Sequence, residues 1–240
     1  MKFKLITAVA LIVAATFVSA QESTQEESTK FDKKITSYGL GYRMGLEFGS
    51  RVGTDLELDI EEAIKGIRDA ATKKEPTIAK EDLVLNLKGY ENKMKKMQYD
   101  AFMKLADENK KRSDDFLTEN RKKKGIKELA SGIQYRVIED GTGNNPTMDS
   151  EVVIHYRGSL IGTEDPNNYQ EFDSTFVKGA PRTLKVNSAL KGWQEILPLM
   201  RPGGKWQIFL PPELGFGLRG QSPIGPNEIL IFDITLLEVK

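Results

Sequence analysis

The first part of the chain carries apolar residues at helical spacing. A first helix is predicted over about residues 31–51, and a second opens at Asp59 and runs to about residue 73. Asp59 and Glu62 are three residues apart, as in the capping box that opens a helix. Ile64 and Ile67 are expected to face inward. The apolar positions of the first helix are Ile35, Tyr38, Tyr42 and Leu46.

Glycines recur at four-residue intervals in the same region, at Gly41, Gly45, Gly49 and Gly53. Each interior glycine destabilises a helix by about 1 kcal/mol relative to alanine. A glycine stripe on one face lets another backbone approach closely, which offsets that loss. The alternative is a weak helix that frays. We favour the close-packing interpretation.

The longest periodic segment covers residues 79–124, which as one helix would extend roughly 65–70 Å. Residues 107–124 are dominated by charge and offer only Phe116 and Leu117 for burial, so this half is expected to bridge domains through solvent. The basic residues 121–124 before Gly125 match a helix C-terminus, and a nucleic-acid patch is the alternative. The apolar seam of the first half consists of Leu83, Leu87, Tyr90, Met94, Met97, Ala101 and Leu105.

The period changes from helix to strand after Gly125. Strands are predicted over residues 133–138, 152–156, 205–210 and 230–236, and residues 140–146 are predicted to form a turn. Between the strands, only residues 190–200 have helical spacing. Many antiparallel strands around one short helix place this half in the α+β class. On the last strand, one face is formed by Leu230, Phe232, Ile234 and Leu236.

A leader precedes these elements. Lys2 and Lys4 come before an uncharged apolar stretch at residues 5–18, and residues 18–20 suit cleavage before Gln21. A membrane anchor is the alternative, but the stretch falls short of the ~20 residues that a membrane-spanning helix needs. We expect residues 1–20 to be removed as a signal peptide and the polar residues 21–30 to be disordered. The mature chain would then be exported and carry no integral membrane segment.

The composition removes most classes of chemistry. Basic and acidic residues balance at 35 each, so no overall field favours nucleic acid. The chain has no cysteine, which excludes disulfides, zinc–thiolate sites and cysteine nucleophiles. His155 is the single histidine, so a His-pair metal site is impossible, and no GxSxG elbow accompanies it. We therefore expect neither a metal nor a cofactor.

A set of aromatic residues remains on the predicted strands and the short helix. Their spacing alone is compatible with a hydrophobic core or with a binding pocket, and a core is the more common arrangement. The set consists of Tyr156, Phe172, Trp193, Phe216 and Phe232.

Short motifs surround these aromatics in order. They are VIHYRG at 153–158, EFDST at 171–175, LKGW at 190–193, GFG at 215–217, IGPNE at 224–228 and LIFD at 230–233. This series resembles the FKBP-type peptidyl-prolyl cis–trans isomerases. YGLG at 38–41 and SGIQY at 131–135, with Asn120 and Gly125, resemble the Mip-like (macrophage infectivity potentiator) branch of that family. The resemblance covers nearly the whole mature chain.

The resemblance implies an architecture and a set of partners. It implies an all-helical N-terminal dimerisation domain at residues 31–78, a long connecting helix at 79–124, and an isomerase domain at 125–240. In that last domain, an antiparallel half-barrel sheet wraps around one short helix. The implied protein is a homodimer in the periplasm or cell envelope, including the outer membrane. It acts on unfolded or partly folded proteins with X–Pro bonds and binds macrolide inhibitors, but no nucleic acid.

The resemblance also assigns roles to positions that match the family motifs. Trp193 would form the floor beneath the prolyl ring, and Asp173 would orient Tyr156 through its hydroxyl. The backbone N–H near Ile224 would donate to the substrate carbonyl. The residues implied as catalytic are Tyr156, Phe172, Asp173, Trp193 and Phe232, and those implied as substrate-binding are Leu190, Phe216 and Ile224.

Three features depart from the family pattern. Phe216 stands where many relatives have tyrosine, Arg182 stands where the smallest members have an aromatic residue, and residues 162–170 lengthen the loop before Phe172. These departures bear on macrolide affinity and on the residue preferred before proline. The implied function is an isomerase with folding-chaperone activity. The alternatives are a client-binding module that no longer catalyses and a structural dimer whose C-terminal domain is a spacer.

Overall fold

A computed structural model describes residues 32–51, 58–163 and 165–240. The predicted leader at 1–20, the segment at 21–30 and the last glycine of the stripe, Gly53, lie outside the described residues. The chain divides into two compact units, with the division between Thr77 and Ile78.

Two capped helices form the first unit, α1 over Lys33–Arg51 and α2 over Ile60–Ala71. The Asp59 carboxylate accepts a hydrogen bond from the Glu62 backbone N–H at 3.1 Å, which confirms the predicted start of α2. The Asp32 carboxylate accepts the N–H groups of Lys34 and Ile35 in the same way. Each cap satisfies backbone donors that the first helical turn leaves free.

The large apolar side chains that the structure describes in α1 and α2 are exposed in the single chain. Ile64 and Ile67, expected to face inward, are 41% and 50% exposed, so this expectation fails within one chain. No described atom lies within 4 Å of the position that a Cβ would take at Gly41, Gly45 or Gly49. The described part of this unit therefore has no hydrophobic core of its own.

Helix α3 covers Lys80–Asn120, 41 residues or roughly 60 Å at 1.5 Å per residue. It ends four residues earlier than predicted, because the chain turns at Arg121 and Lys122. The Lys122 side chain pairs with Glu119 at 2.7 Å, and Arg121 lies 3.4 Å from Glu128. Arg121 is the C-cap of α3, so the prediction that Gly125 caps the helix is wrong; Gly125 has a positive φ of 85° in the turn that follows.

The second half of α3 does not cross solvent, and that prediction is wrong. One face of it is buried against the sheet, although most of its buried side chains are polar. This buried face could not be recognised from the apolar residues of α3, because polar groups with hydrogen-bond partners also form packing surfaces. The buried residues are Ala106, Asn109, Ser113, Phe116, Leu117 and Asn120.

The C-terminal half is a seven-stranded antiparallel sheet. Its order is β1-β2-β6-β7-β3-β4, and β5 also pairs with β3. The four predicted strands are present as β2, β3, β6 and β7, whereas β1, β4 and β5 were not predicted. The strands are β1 Lys127–Glu128, β2 Gln134–Glu139, β3 Glu151–Ile161, β4 Tyr169–Ser174, β5 Arg182–Lys185, β6 Lys205–Leu210 and β7 Leu230–Val239.

Helices cover both faces of the sheet. The short helix α4, Lys191–Ile196, packs on one face, where the main core contains Trp193 and the predicted apolar face of β7. Phe116 and Leu117 of α3 pack on the other face against Phe209 and Ile231. This arrangement confirms the α+β class and adds a second helix to the predicted one. Among the described residues, no helix is long and apolar enough to cross a membrane.

Candidate functional site

Four aromatic rings meet where α4 faces β3, β4 and β7. The Trp193 ring centroid lies 5.0 Å from that of Phe232 and 5.2 Å from that of Tyr156. Phe172 lies 5.8 Å from Phe232, and Tyr156 lies 6.2 Å from Phe232. All four pairs are edge-to-face, with interplanar angles of 69–82°. Such pairs contribute about 0.5–1.5 kcal/mol each beyond area burial, so the rings hold one another in fixed orientations.

These rings line a cavity of about 680 Å³. This volume is in the range typical of small-molecule and peptide side-chain sites. The cavity brings together all eight residues predicted for the site, which lie on the strands β3, β4 and β7, on helix α4 and in the adjoining loops: Tyr156, Phe172, Asp173, Leu190, Trp193, Phe216, Ile224 and Phe232.

A β-bulge places Phe172 and Asp173 side by side. Gly158 of β3 pairs with Asp173, and the next residue, Ser159, pairs with Glu171, so Phe172 is an extra residue in β4. Successive side chains of a regular strand point to opposite faces. The bulge interrupts that alternation, and consecutive residues can then both line the cavity.

Gly158 leaves the space that the rings occupy. A Cβ at this position would lie 2.7 Å from Cζ of Phe172 and 2.7 Å from Cε1 of Phe232. Tyr156 and Gly158 share one face of β3, since they are two residues apart. Gly158 belongs to the motif at 153–158, but its role could not be predicted, because the space left by an absent side chain leaves no pattern in the sequence.

The polar edge of the cavity is built on Asp173. The Tyr156 hydroxyl donates to Oδ2 of Asp173 at 2.5 Å, and the Lys178 ammonium donates to Oδ1 at 2.5 Å. Partial burial raises the pKa of Asp173, but the bonds from Lys178 and Tyr156 outweigh it, and the net pKa is lowered. Burial and the bond to Asp173 raise the pKa of Tyr156, so its hydroxyl stays protonated at neutral pH.

Ile224 lies in a turn at the opposite wall, where it is buried. Its N–H donates to the carbonyl of Gln221 at 2.5 Å, and the Gln221 N–H donates back to the Ile224 carbonyl at 2.9 Å. The donor expected to meet a substrate carbonyl is therefore engaged within the chain. A substrate carbonyl would share this N–H in a bifurcated bond or displace Gln221.

A basic rim borders the cavity. Arg182 and Lys185 at the two ends of β5 line the cavity with Lys178, whereas Asp173 is the one acidic residue among the lining residues. Arg182 was noted from the sequence only as a departure from the family pattern, and Lys178 and Lys185 were not predicted because no motif contains them. The remaining unpredicted lining residues are Leu184, Ser188, Ala189, Gln221, Ser222 and Pro223.

The lengthened loop does not reach this cavity. None of its described residues lines the cavity, and Pro166 and Asn167 instead line a separate groove beside Phe116 of α3. Phe216 and Arg182, the other two departures, do line the cavity.

The described residues contain no group of three or more His, Asp or Glu side chains that could hold a metal ion. His155 lies outside the cavity lining. Its Nδ1 is 2.9 Å from the Thr175 hydroxyl, and its ring stacks on Phe176 with centroids 4.7 Å apart. The chemistry available in the cavity is therefore shape, aromatic surface and hydrogen bonding.

Comparison with known proteins links both halves of the chain to one family. Residues 33–137 match the domain amino terminal to FKBP-type peptidyl-prolyl isomerase, and residues 143–237 match the FKBP-type peptidyl-prolyl cis–trans isomerase domain. The chain is 37% identical to the outer membrane protein MIP of Legionella longbeachae over 242 residues, which cover 100% of this chain and 99% of that protein. It is also 37% identical to the peptidyl-prolyl cis–trans isomerase Mip of Coxiella burnetii over 186 residues, 77% of this chain and 78% of the relative.

Solved structures give the same relationship. The crystal structure of FkpA from Escherichia coli aligns with a TM-score of 0.71 at 30% identity, covering 88% of this chain and 98% of that one. A peptidyl-prolyl cis–trans isomerase from Pseudomonas syringae aligns over 56% of this chain with a TM-score of 0.50 at 29% identity.

Proposed function

The chain belongs to the FKBP-type peptidyl-prolyl cis–trans isomerases, and from this premise we propose that it rotates X–Pro bonds in the cavity above Trp193. The observation that carries the proposal is the set of four rings, Tyr156, Phe172, Trp193 and Phe232, that are linked by four edge-to-face contacts and line one cavity. A prolyl ring is small and apolar, and this lining presents apolar surface on several sides.

The reaction requires no acid, base or metal. Rotation about X–Pro is slow because the amide loses resonance when it twists, which gives a barrier of about 18–20 kcal/mol. Shortening the time constant of this rotation from tens of seconds to about a millisecond requires a barrier that is lower by roughly 5–6 kcal/mol. A cavity that fits the twisted amide better than the planar one supplies this difference as selective binding. Loss of water around the less polar twisted amide acts in the same direction.

The residues take distinct roles in this proposal. Trp193 is the floor under the prolyl ring, and Phe172 and Phe232 are the walls. Asp173 holds the Tyr156 hydroxyl by a charge-assisted hydrogen bond, which fixes the ring of Tyr156 beside Trp193. Leu190, Phe216 and Ile224 complete the apolar lining and contact the residues that flank the proline.

The two tryptophans of the chain provide a matched test. Trp193 and Trp206 are both buried in the same core, but only Trp193 is among the cavity-lining residues. Replacing either by alanine should destabilise the protein by about 3–5 kcal/mol. In a protease-coupled assay on a short Xaa–Pro peptide, Trp193→Ala should lose most of kcat/KM and Trp206→Ala should retain it below its unfolding temperature. Equal rates in both variants would refute the site. A client-binding module without catalysis would show no acceleration even in the wild-type chain.

We further propose that the mature chain is exported, dimeric and active on folding proteins. The leader pattern at residues 1–20 supports export, and the name of the Legionella relative supports the cell envelope or outer membrane over the cytoplasm. The exposed apolar faces of α1 and α2 support a dimer, because a second copy would bury them. Two cavities in one particle would hold an unfolded client at more than one point. Light scattering that shows a monomer at micromolar concentration would refute the dimer.

A further inference from the structure

The loop that closes the cavity at Ile224 continues into a segment, residues 225–229, that lies against α3. Asn109 of α3 donates its Nδ2 to the carbonyl of Pro226 at 2.8 Å. The Ser113 hydroxyl donates to the carbonyl of Asn227 at 3.0 Å and accepts the N–H of Ile229 at 2.9 Å. Asn109 and Ser113 are almost completely buried, at 1% and 0% exposure. Helix side chains thus provide the hydrogen bonds that this segment would otherwise take from a neighbouring strand.

A charge pair reinforces the same contact. Nη2 of Arg112 donates to both carboxylate oxygens of Glu228, at 2.8 and 2.9 Å, and to Oδ1 of Asn109 at 3.0 Å. The Glu228 side chain is only 10% exposed. A carboxylate so far removed from water is stable only with its partner in place, because the loss of one partner leaves an uncompensated charge. Glu228 therefore holds its position only while α3 is docked.

This contact begins one residue along the chain from the cavity wall. Ile224 lines the cavity, and a Cβ on the following residue, Gly225, would lie 3.2 Å from Nδ2 of Asn109. Asn227 also connects to the other wall, since its N–H donates to the carbonyl of Gly217 at 2.9 Å, next to Phe216. Asn227, which Ser113 holds, thus helps to position two lining residues on different segments, Ile224 and Phe216.

We infer that Asn109, Arg112 and Ser113 of α3 are positioning residues for isomerisation, because they hold residues 225–229 and through them the cavity wall at Ile224 and Phe216. This inference rests on the proposed function of the cavity. These three residues touch no substrate. An apolar helix face would cover the sheet equally well, and the polar residues here bind loop groups that have no strand partner. Displacement of a reacting group by 1 Å can lower a rate about 10²-fold.

The coupling acts in both directions. If the docked helix favours the closed wall, a ligand that needs the closed wall favours the docked helix by the same free energy. Occupancy of the cavity should therefore slow amide exchange in residues 225–229 and at the face of α3 that holds them.

The test uses the full chain with Arg112→Met, which removes the charge and keeps much of the side-chain volume. Lys111→Met is the matched control, because Lys111 is 78% exposed and pairs with Asp115 on its own helix. We expect Arg112→Met to lower kcat/KM about tenfold, chiefly through KM, and to speed amide exchange in residues 221–228 but not in the central strands β3 and β7. Arg112→Lys should recover part of the activity, since a cation still reaches Glu228. Lys111→Met should match wild type in every readout.

A milder variant keeps the test decisive if Arg112→Met folds poorly. Ser113→Ala removes the two hydrogen bonds at Asn227 and Ile229 without leaving a buried charge. Faster exchange in the loop with kcat/KM unchanged in both variants would overturn the inference. So would a loss of rate that follows a general fall in stability, with exchange rising equally in β3 and β7. Neither outcome touches the proposed function, which fails if the wild-type chain does not accelerate isomerisation or if Trp193→Ala retains its rate.

Discussion

A single methyl group at Gly158 tests the geometry of the cavity. The Cβ of Gly158→Ala would lie 2.7 Å from carbons of Phe172 and Phe232, whereas favourable carbon contacts lie at about 3.5–4.0 Å. Each ring must therefore move back by about 1 Å. Phe232 is 2% exposed and backed by Trp193 and Tyr156, so it has no free space behind it. Phe172 is only partly buried, and it should move furthest.

The magnitude follows from overpacking. Extra volume in a close-packed site destabilises a protein by about 1–3 kcal/mol. For a protein of this size, each kcal/mol lowers Tm by about 2–4 °C, so the expected fall lies between about 2 and 12 °C. A wall displaced by 1 Å should lower kcat/KM about 10- to 100-fold, far more than the change in stability at 25 °C explains.

The assay measures kcat/KM on an Xaa–Pro peptide at 10 °C together with Tm by circular dichroism. Gly89→Ala is the control, because no described atom outside the neighbouring turns of its own helix lies within 4 Å of its Cβ position and alanine favours the helix by about 1 kcal/mol. That variant should raise Tm and leave kcat/KM unchanged. A Gly158→Ala protein with both wild-type Tm and wild-type kcat/KM would refute the claim that this glycine makes room for the cavity walls.

Three further outcomes are expected. Partial burial raises the pKa of Asp173, but the bonds from Lys178 and Tyr156 lower it overall. The stability that the ionised Asp173 carboxylate contributes is therefore fully present above the ordinary carboxyl pKa, and it is lost as pH falls through the lowered value. A profile of kcat/KM in an assay without protease should therefore be flat from about pH 5 to 8, and a carboxyl transition inside that window would contradict this. Phe216→Tyr should keep activity and tighten rapamycin-like ligands in calorimetry, since it adds a hydroxyl at the cavity, and weaker binding would show that the hydroxyl does not limit affinity. Activity should survive EDTA, because the described residues hold no metal-ligand group, and loss that added metal restores would overturn that expectation.

Much of the candidate site could be predicted, because its residues belong to motifs that are recognised by their residue types and by their order along the chain. The rings of Tyr156 and Phe232 lie on predicted strands, and the alternation of side chains along β3 and β7 turns them to the same face of the sheet. Trp193 lies on the predicted short helix, α4. The bulge at Phe172 and the space at Gly158 depend on strand register, which only the paired strands reveal.

The interface between α3 and the sheet could not be predicted from hydrophobic spacing. Asn109, Ser113 and Asn120 appear in the sequence as residues of a solvated helix. The partners of Asn109 and Ser113 are backbone carbonyls far along the chain, and the partner of Asn120 is the side-chain oxygen of Gln134. A polar residue is identified as buried only when its partner is known. Conversely, Ile64 and Ile67 of α2 were expected in a core, and the single chain leaves them exposed because it contains no partner for that face.

The position of Trp193 allows occupancy of the cavity to be followed by tryptophan fluorescence. The chain has two tryptophans, and Trp206 stacks on Tyr135 with ring centroids 4.8 Å apart, outside the cavity lining. Replacing Trp206 with phenylalanine leaves one indole emitter, Trp193, which lines the cavity. A ligand that displaces water above this indole changes the polarity around it and hence its fluorescence. Occupancy of the cavity can then be titrated directly, without turnover and without a coupled protease.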